Sequence, residues 1–202
     1  MKHEGLIAEA AALGVTLTPA QADQLEGYEA LLRERAAALG MIARGDLDRL
    51  RDRHVLDSLR AAPVLGGKAG DAIDLGSGAG LPGIPVAIAL PGLRMTLTET
   101  RRQRIAFLEL VVVELGLENV SVHGGRAEHA TGPADACLAR AFRDAAASWH
   151  VAERLLRPEG CLVYFAGAGF DATRDLPAEA TATILPASSL AKSGPLVIMT
   201  PQ

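Results

Sequence analysis

Aromatic residues are scarce in this sequence, with 4 Phe, 2 Tyr and 1 Trp among 202 residues. So few rings leave little for the stacking platforms on which single-strand binders lay successive bases. Basic charge is not in excess either: 20 Lys+Arg stand against 24 Asp+Glu, a formal net charge of −4. That balance argues against a domain that coats nucleic acid through counterion release alone, so any contact with RNA must come from a local basic patch. Two cysteines, Cys137 and Cys161, both inside apolar runs, cannot build a disulfide framework or a four-cysteine zinc site, which points to a reducing compartment. His3, His54, His123, His129 and His150 lack ligand-like spacing, so no metal is expected. No window reaches the ~18 uninterrupted apolar residues that span a bilayer. The start, Met1-Lys2-His3-Glu4, is not followed by an apolar leader. A cytoplasmic monomer with no membrane partner is the expectation.

What is present is an ordinary globular chain, 49% hydrophobic, whose pattern changes once. Residues 1–62 are rich in Ala, Leu, Glu and Arg. Leu25, Tyr28, Leu31 and Leu32 fall at helical spacing, and Thr18-Pro19 reads as an N-cap with Pro at the first helical position. A second helix is predicted over Leu47–Leu59, with Leu50, His54 and Leu59 near one face. Pro63, Gly66, Gly67 and Gly70 then break the helical period, and the domain boundary is placed there: 1–62 a helical N-terminal extension, 63–202 the main domain.

From Asp71 onward short apolar runs alternate with helical stretches, the signature of βα units on a mostly parallel sheet. Strands are expected at Ala72–Leu75, Met95–Thr98, Val120–His123, Ala136–Ala139 and Cys161–Phe165, and helices at Pro82–Leu90, Gln103–Leu115, Arg126–Ala130 and Asp144–Leu156. Ala182–Leu185 and Leu196–Met199 add two weaker strands, read as an antiparallel pair at one edge. Trp149 belongs to the core.

The strongest signal is Asp74-Leu75-Gly76-Ser77-Gly78-Ala79-Gly80-Leu81-Pro82-Gly83, between the first strand and a helix start. Alternate glycines permit positive φ and close approach of a ligand, and the helix N-terminus offers free N–H groups. Gly78, Gly80 and Gly83 also satisfy the dinucleotide spacing of an NAD-dependent oxidoreductase. Asp74 argues against that reading: a carboxylate there would oppose a pyrophosphate but can accept hydrogen bonds from the ammonium of S-adenosyl-L-methionine, directly or through water. Glu99 ends the second strand, 21 residues after Gly78, where a carboxylate can hold ribose hydroxyls. Ala127 and Glu128, after the third strand, stand where a cofactor's adenine is expected. The fold class read from this is α/β, a Rossmann-like class I S-adenosylmethionine-dependent methyltransferase.

Four segments carry a family resemblance. Arg53-His54-Val55-Leu56-Asp57-Ser58-Leu59, the loop from Asp74 to Pro85, Gly125-Arg126-Ala127-Glu128 and Ala139-Arg140-Ala141-Phe142 resemble, in order and spacing, the bacterial RsmG-type (glucose-inhibited division protein B) methyltransferases. The resemblance runs from about Leu25 to Val197. It implies methylation of guanine N7 in the 530 loop of 16S ribosomal RNA of the small subunit. It assigns the cofactor to Gly76, Gly78, Leu81, Glu99, Ala127, Glu128 and Arg140, with Arg140 also the catalytic-side arginine at the guanine pocket; Asp74 and Gly80 join the cofactor set from the reading of the loop itself. An arginine there can donate to guanine O6 or to a phosphate. His54 is read as packing the N-terminal helices onto the sheet, with Asp57 or Ser58 bonding nearby. The RNA-facing candidates are Arg101, Arg102 and Arg104 beside the pocket and Arg44, Arg49, Arg51 and Arg53 on the second helix. The chain departs from the family pattern where Phe165-Ala166-Gly167 replaces a lysine-glycine ending, where Lys192-Ser193-Gly194-Pro195 leads into an uncharged run, and around Gly40-Met41-Ile42, where a short Asn-Leu-Thr stretch is not recognisable. An S-adenosylmethionine-binding ribosome partner without catalysis is the alternative those departures raise.

Overall fold

The computed structural model describes residues 3–66, 70–188 and 193–202; Gly67 and Lys192, used in the sequence reading, lie outside them. The chain opens with helix α1 (Glu4–Ala12) and helix α2 (Pro19–Leu31). The α2 start is as the sequence predicts: the Thr18 hydroxyl accepts from the Gln21 N–H while the Gln21 side chain accepts from the Thr18 N–H, and Pro19 sits where a missing donor costs nothing. α2 runs on into a wider π turn over Leu32–Ala36.

The helix predicted over Leu47–Leu59 is instead three short pieces. A 3-10 stretch over Arg44–Arg49 is followed by π spacing over Arg51–Leu56 and one α turn, α3 (Asp57–Leu59). The wider spacing lets Leu50, Val55, Leu56 and Leu59 all enter the core while His54 faces the end of the sheet. A short α4 (Ala62–Leu65) carries Pro63 in its first turn and ends at Gly66.

Seven strands follow, joined by the remaining helices: β1 (Gly70–Asp74), α5 (Gly83–Ala89), β2 (Leu93–Glu99), α6 (Arg102–Glu114), β3 (Val120–Gly124), β4 (Ala134–Arg140), α7 (Ala145–Ala152), β5 (Leu156–Phe165), α8 (Ala172–Asp175), β6 (Ala180–Leu185) and β7 (Leu196–Pro201). They form one sheet in the order β3-β2-β1-β4-β5-β7-β6, with β1 to β5 parallel. β7 runs antiparallel to both β5 and β6, so the expected edge pair is present.

Two predicted helices shrink. Arg126–Ala130 is a single 3-10 turn, Ala127–His129, hemmed in by Gly124-Gly125 before it and Gly132-Pro133 after it. The one predicted over Asp144–Leu156 ends at Ala152, because the Leu155 carbonyl accepts from the Ala134 N–H and draws the chain into β5. β5 therefore starts five residues earlier than its apolar run, through Pro158 and Gly160, which masked it in the sequence.

Side chains alternate across the sheet as the strand period requires. Ala72, Ala136, Leu138, Cys161 and Val163 share one apolar cluster with the N-terminal helices, α5 and α6. Ile73, Cys137, Ala139 and Leu162 face the other cluster, around Trp149 of α7. The two cysteines thus occupy opposite faces of neighbouring strands, both buried. The N-terminal helices share one contiguous core with the sheet, and Leu25, Tyr28, Leu32 and Leu50 are fully buried in it. A cap loss at the start of α2 should therefore register in the stability of the whole chain. Thr18→Ala is expected to cost about 1 kcal/mol in urea denaturation, with the slope of the transition unchanged.

Candidate active site

β1 lies between β2 and β4, whose connections leave it in opposite directions, and at this switch point open α/β sheets bind ligands beyond their carboxyl ends. The loop after β1 is shaped for it. Gly76, Gly78 and Gly80 have φ of 69°, 60° and 94°. A Cβ on Gly76 would stand 2.6 Å from the Phe142 ring, and one on Gly80 2.6 Å from Ile84, so position as well as φ demands glycine at both. Four hydrogen bonds fix the loop. The Ser77 N–H donates to the Thr98 carbonyl at 2.8 Å and the Gly76 N–H to Thr98 Oγ1 at 2.9 Å, while that hydroxyl donates to the Asp74 carbonyl at 2.8 Å. From the N-terminal segment, Tyr28 Oη donates to the Ala79 carbonyl at 2.7 Å.

Beneath this loop lies the Asp74 carboxyl, 1% exposed. Its Oδ2 accepts from the Gly83 N–H at 3.1 Å, which ties it to the start of α5, while Oδ1 is buried without a protein partner. Burial pushes its pKa up to about 6, against the downward pull of Ser77, the Gly83 N–H and the Arg140 charge.

Two clefts open above the sheet, sharing Ala141 as a wall. The first, about 330 Å³, lies over β1, β2 and β3 and brings together Gly76, Glu99, Ala127 and Glu128 from the sequence-read set, with Phe142, Arg104 and Arg143 among the residues added by the fold. Glu99 Oε1 accepts from the Thr100 and Arg101 N–H groups at 2.7 and 2.9 Å, so the carboxylate is locked in direction, and Oε2 faces Arg104 at 3.5 Å. Glu128 meets Arg143 at 2.6 Å, and that guanidinium stacks over Phe142, 4.7 Å from the ring centroid. Arg143 and the backbone together hold the Glu128 carboxyl below its ordinary range.

The second cleft, about 400 Å³, lies beyond β4 and β5 and is lined by Arg140 with Arg53, His54 and Asp57 from the N-terminal segment, and Ala166 and Gly194 from the sheet side. Ala141 sits at φ 53°, a left-handed conformation for a residue with a side chain. This turn sends Arg140 to the second cleft and Phe142 to the first. Arg140 Nη2 lies 3.4 Å from His54 Nδ1, and Nη1 lies 3.7 Å from Asp57 Oδ2. Burial first, then the Arg140 charge, pushes the His54 pKa down to about 4, so its imidazole is neutral.

The structure thus gathers Gly76, Glu99, Ala127 and Glu128 at one cleft and Arg140 at the next, while Asp74 lies beneath the loop and Gly80 and Leu81, buried within the loop, line neither cleft. Gly78 stands on the loop, where a Cβ would be 3.8 Å from Arg104. Of the RNA-facing candidates, Arg101 and Arg104 line the first cleft, Arg51 is bound to Glu29, and Arg53 to Asp46. Arg44, Arg101 and Arg102 are exposed, and Arg49 is half-buried. The sequence reading missed Thr98 and the polar work of Tyr28. A phenol at a buried helical position looks the same as a packed ring until its partner is known.

A family model described as rRNA small subunit methyltransferase G matches residues 21–183. Curated proteins named ribosomal RNA small subunit methyltransferase G are similar across most of the chain. That of Burkholderia thailandensis is 40% identical and that of Burkholderia pseudomallei 42%, each over 79% of this chain and over 73% and 72% of theirs. Among solved structures, an S-adenosylmethionine-dependent methyltransferase from Aquifex aeolicus superposes with a TM-score of 0.57 at 14% identity over 74% of this chain and 91% of its own. Fibrillarin from Aeropyrum pernix, solved with natively bound S-adenosyl-L-methionine, gives 0.54 at 16% identity over 70% and 74%. These two likenesses establish the fold. Tyr28→Phe removes the bond to Ala79 and leaves that carbonyl unpaired; it is expected to weaken S-adenosylhomocysteine binding about fivefold in calorimetry.

Proposed function

The chain belongs to the rRNA small subunit methyltransferase G family, and from that premise we propose that it transfers the methyl group of S-adenosylmethionine to N7 of a guanine in the 530 loop of 16S ribosomal RNA. The observation that carries this reading is the pair of clefts meeting at Ala141, one beside the glycine loop and Glu99, the other holding Arg140.

The residues present fit the cofactor. Gly78, where nothing would stand nearer than 3.8 Å to a Cβ, leaves room for an amino-acid moiety over the loop, and the unpaired Oδ1 of Asp74 is an acceptor for its ammonium, reached directly or through water. Glu99, fixed by two backbone N–H groups, keeps lone pairs for ribose hydroxyls. Ala127 and Glu128 border the adenine end. Bound there, S-adenosylmethionine supplies an electrophilic methyl group on a sulfonium.

Little else is asked of the chain. Guanine N7 bears a lone pair and no proton, so no general base is needed, and none of the clefts' side chains is arranged as one. Arg140 donates to the base from the second cleft, Asp57 beside it offsets the positive charge the ring acquires, and both clefts narrow the reaction to positioning and exclusion of water. The half-buried His54 and Arg140, joined across the N-terminal segment and β4, are the groups this reading places against the base.

The test of the reaction is transfer of label from S-adenosylmethionine to small subunits lacking the modification; the label is expected at N7 in the 530 loop, and its absence would overturn the proposal. Asp74 has its own signature. Its folded pKa, about 6, lies above its unfolded value, so the stability its proton confers is complete below the unfolded pKa and is lost as pH rises through about 6. Asp74→Asn cannot ionise and escapes that loss: relative to wild type it is expected to gain stability between pH 4 and pH 7.5, by about 1–3 kcal/mol. It should also bind S-adenosylmethionine about tenfold more weakly at pH 7.5 in calorimetry, and wild-type affinity should fall as pH drops below 6.

A further inference from the structure

The second cleft raises a problem of chemistry. Guanine presents O6 and N7 side by side as acceptors, and the commonest grip of an arginine on this base takes both at once. Here N7 must attack. A guanidinium lodged on its lone pair would compete with the methyl group for the same electrons, so tight binding and turnover pull in opposite directions.

We infer that His54 is a positioning residue: by accepting from Arg140 Nη2 on its Nδ1, with the Asp57 carboxylate facing Nη1, it turns the guanidinium so that the target guanine receives a single hydrogen bond at O6 and N7 stays bare. The inference rests on the proposed reaction and concerns the same cleft. Three observations support it. Both terminal nitrogens of Arg140 are engaged by the N-terminal segment, at 3.4 Å by His54 and 3.7 Å by Asp57, leaving fewer donors for a two-pronged grip. The cations among the cleft's lining residues are Arg140 and Arg53, and Arg53 is held by Asp46. The groups facing His54 are Arg140, Asp46, Arg53 and Asp57, and its Nε2 lies 3.6 Å from Asp46 Oδ2. Arginine can only donate, so Nδ1 is the acceptor and the ring proton sits on Nε2, on the side of the Asp46 carboxylate but without a hydrogen bond to it. Burial keeps the imidazole neutral, which acceptance from an arginine requires.

The test separates this inference from the reaction on which it rests. Wild-type protein is first assayed on small subunits lacking the modification. If no N7-methylguanosine forms, the reaction itself is wrong and the inference falls with it. If it forms, His54→Ala is expected to lower kcat about 10- to 100-fold while KM for the subunit stays the same or falls, since a freed arginine grips better and reacts worse. S-adenosylhomocysteine affinity should stay within about twofold of wild type. His54→Asn places an oxygen acceptor near the Nδ1 position and should recover most of kcat, whereas His54→Gln, with its acceptor near the Nε2 position, should not. This pair decides the matter even if the alanine variant fails to fold. A raised KM with kcat intact, equal damage from Asn and Gln, or loss of cofactor affinity in step with kcat would each overturn the inference.

Discussion

At the carboxyl end of the sheet, the side chain of Asp74 has been taken out of water, and the surrounding loop is built to make that tolerable. A carboxylate so buried costs several kcal/mol unless donors replace its hydration. The Gly83 N–H supplies one, and the field of Arg140 contributes a favourable charge. To bring Gly83 that close, the chain must turn tightly between β1 and α5, and a Cβ on Gly83 would fall 2.7 Å from the same carboxylate oxygen. The left-handed glycines follow from this constraint as much as from any ligand. One oxygen is still left without a protein partner, a cost the free protein carries and a bound cation can relieve.

The N-terminal segment depends on the same loop, and the loop on it. Tyr28 reaches across from α2 to the Ala79 carbonyl, while the sheet holds the loop through Thr98 of β2 and through Leu138 of β4, whose carbonyl accepts from the Leu75 N–H. Farther along, His54 and Asp57 meet Arg140 at the end of β4. Both contacts come from helices whose apolar faces share one core with the sheet, so their geometry is fixed by packing rather than by the polar bonds alone. The irregular helical spacing over Arg51–Leu56 has a purpose here: it lets the segment bury its leucines and still aim an imidazole at the sheet.

How much of this was legible in the sequence depends on whether the signal was local. The βα alternation, the N-cap at Thr18 and the glycine loop are read from neighbouring residues, and each was found where the pattern placed it. The edge strands β6 and β7 were visible as short apolar runs. What escaped depends on distant partners. The early start of β5 is set by pairing Leu156 with Ala134 and hidden by Pro158 and Gly160. The break in the second helix comes from tertiary packing that overrides an ordinary helical sequence. Tyr28 and His54 carry polar functions at positions that periodicity assigns to packing, and only the approach of Ala79 and Arg140 distinguishes the two.

The charge balance takes on a different meaning once the arginines are placed. Arg51, Arg53, Arg60, Arg104, Arg143 and Arg157 each meet a carboxylate, so much of the basic charge is spent inside the protein. Arg44, Arg101 and Arg102 make no ion pair among the described residues and stand exposed. A handful of exposed cations on an acidic chain contributes a few phosphate contacts at most, and phosphate contacts position a protein without reading sequence. On the proposed reading, selection of one guanine then comes from fit, a folded RNA presenting an unstacked base to the second cleft. A cleft that grips weakly is no handicap for that chemistry. If Arg140 recognises guanine as proposed, that donor sits beside the atom that must react, and restraint in binding is what leaves N7 free.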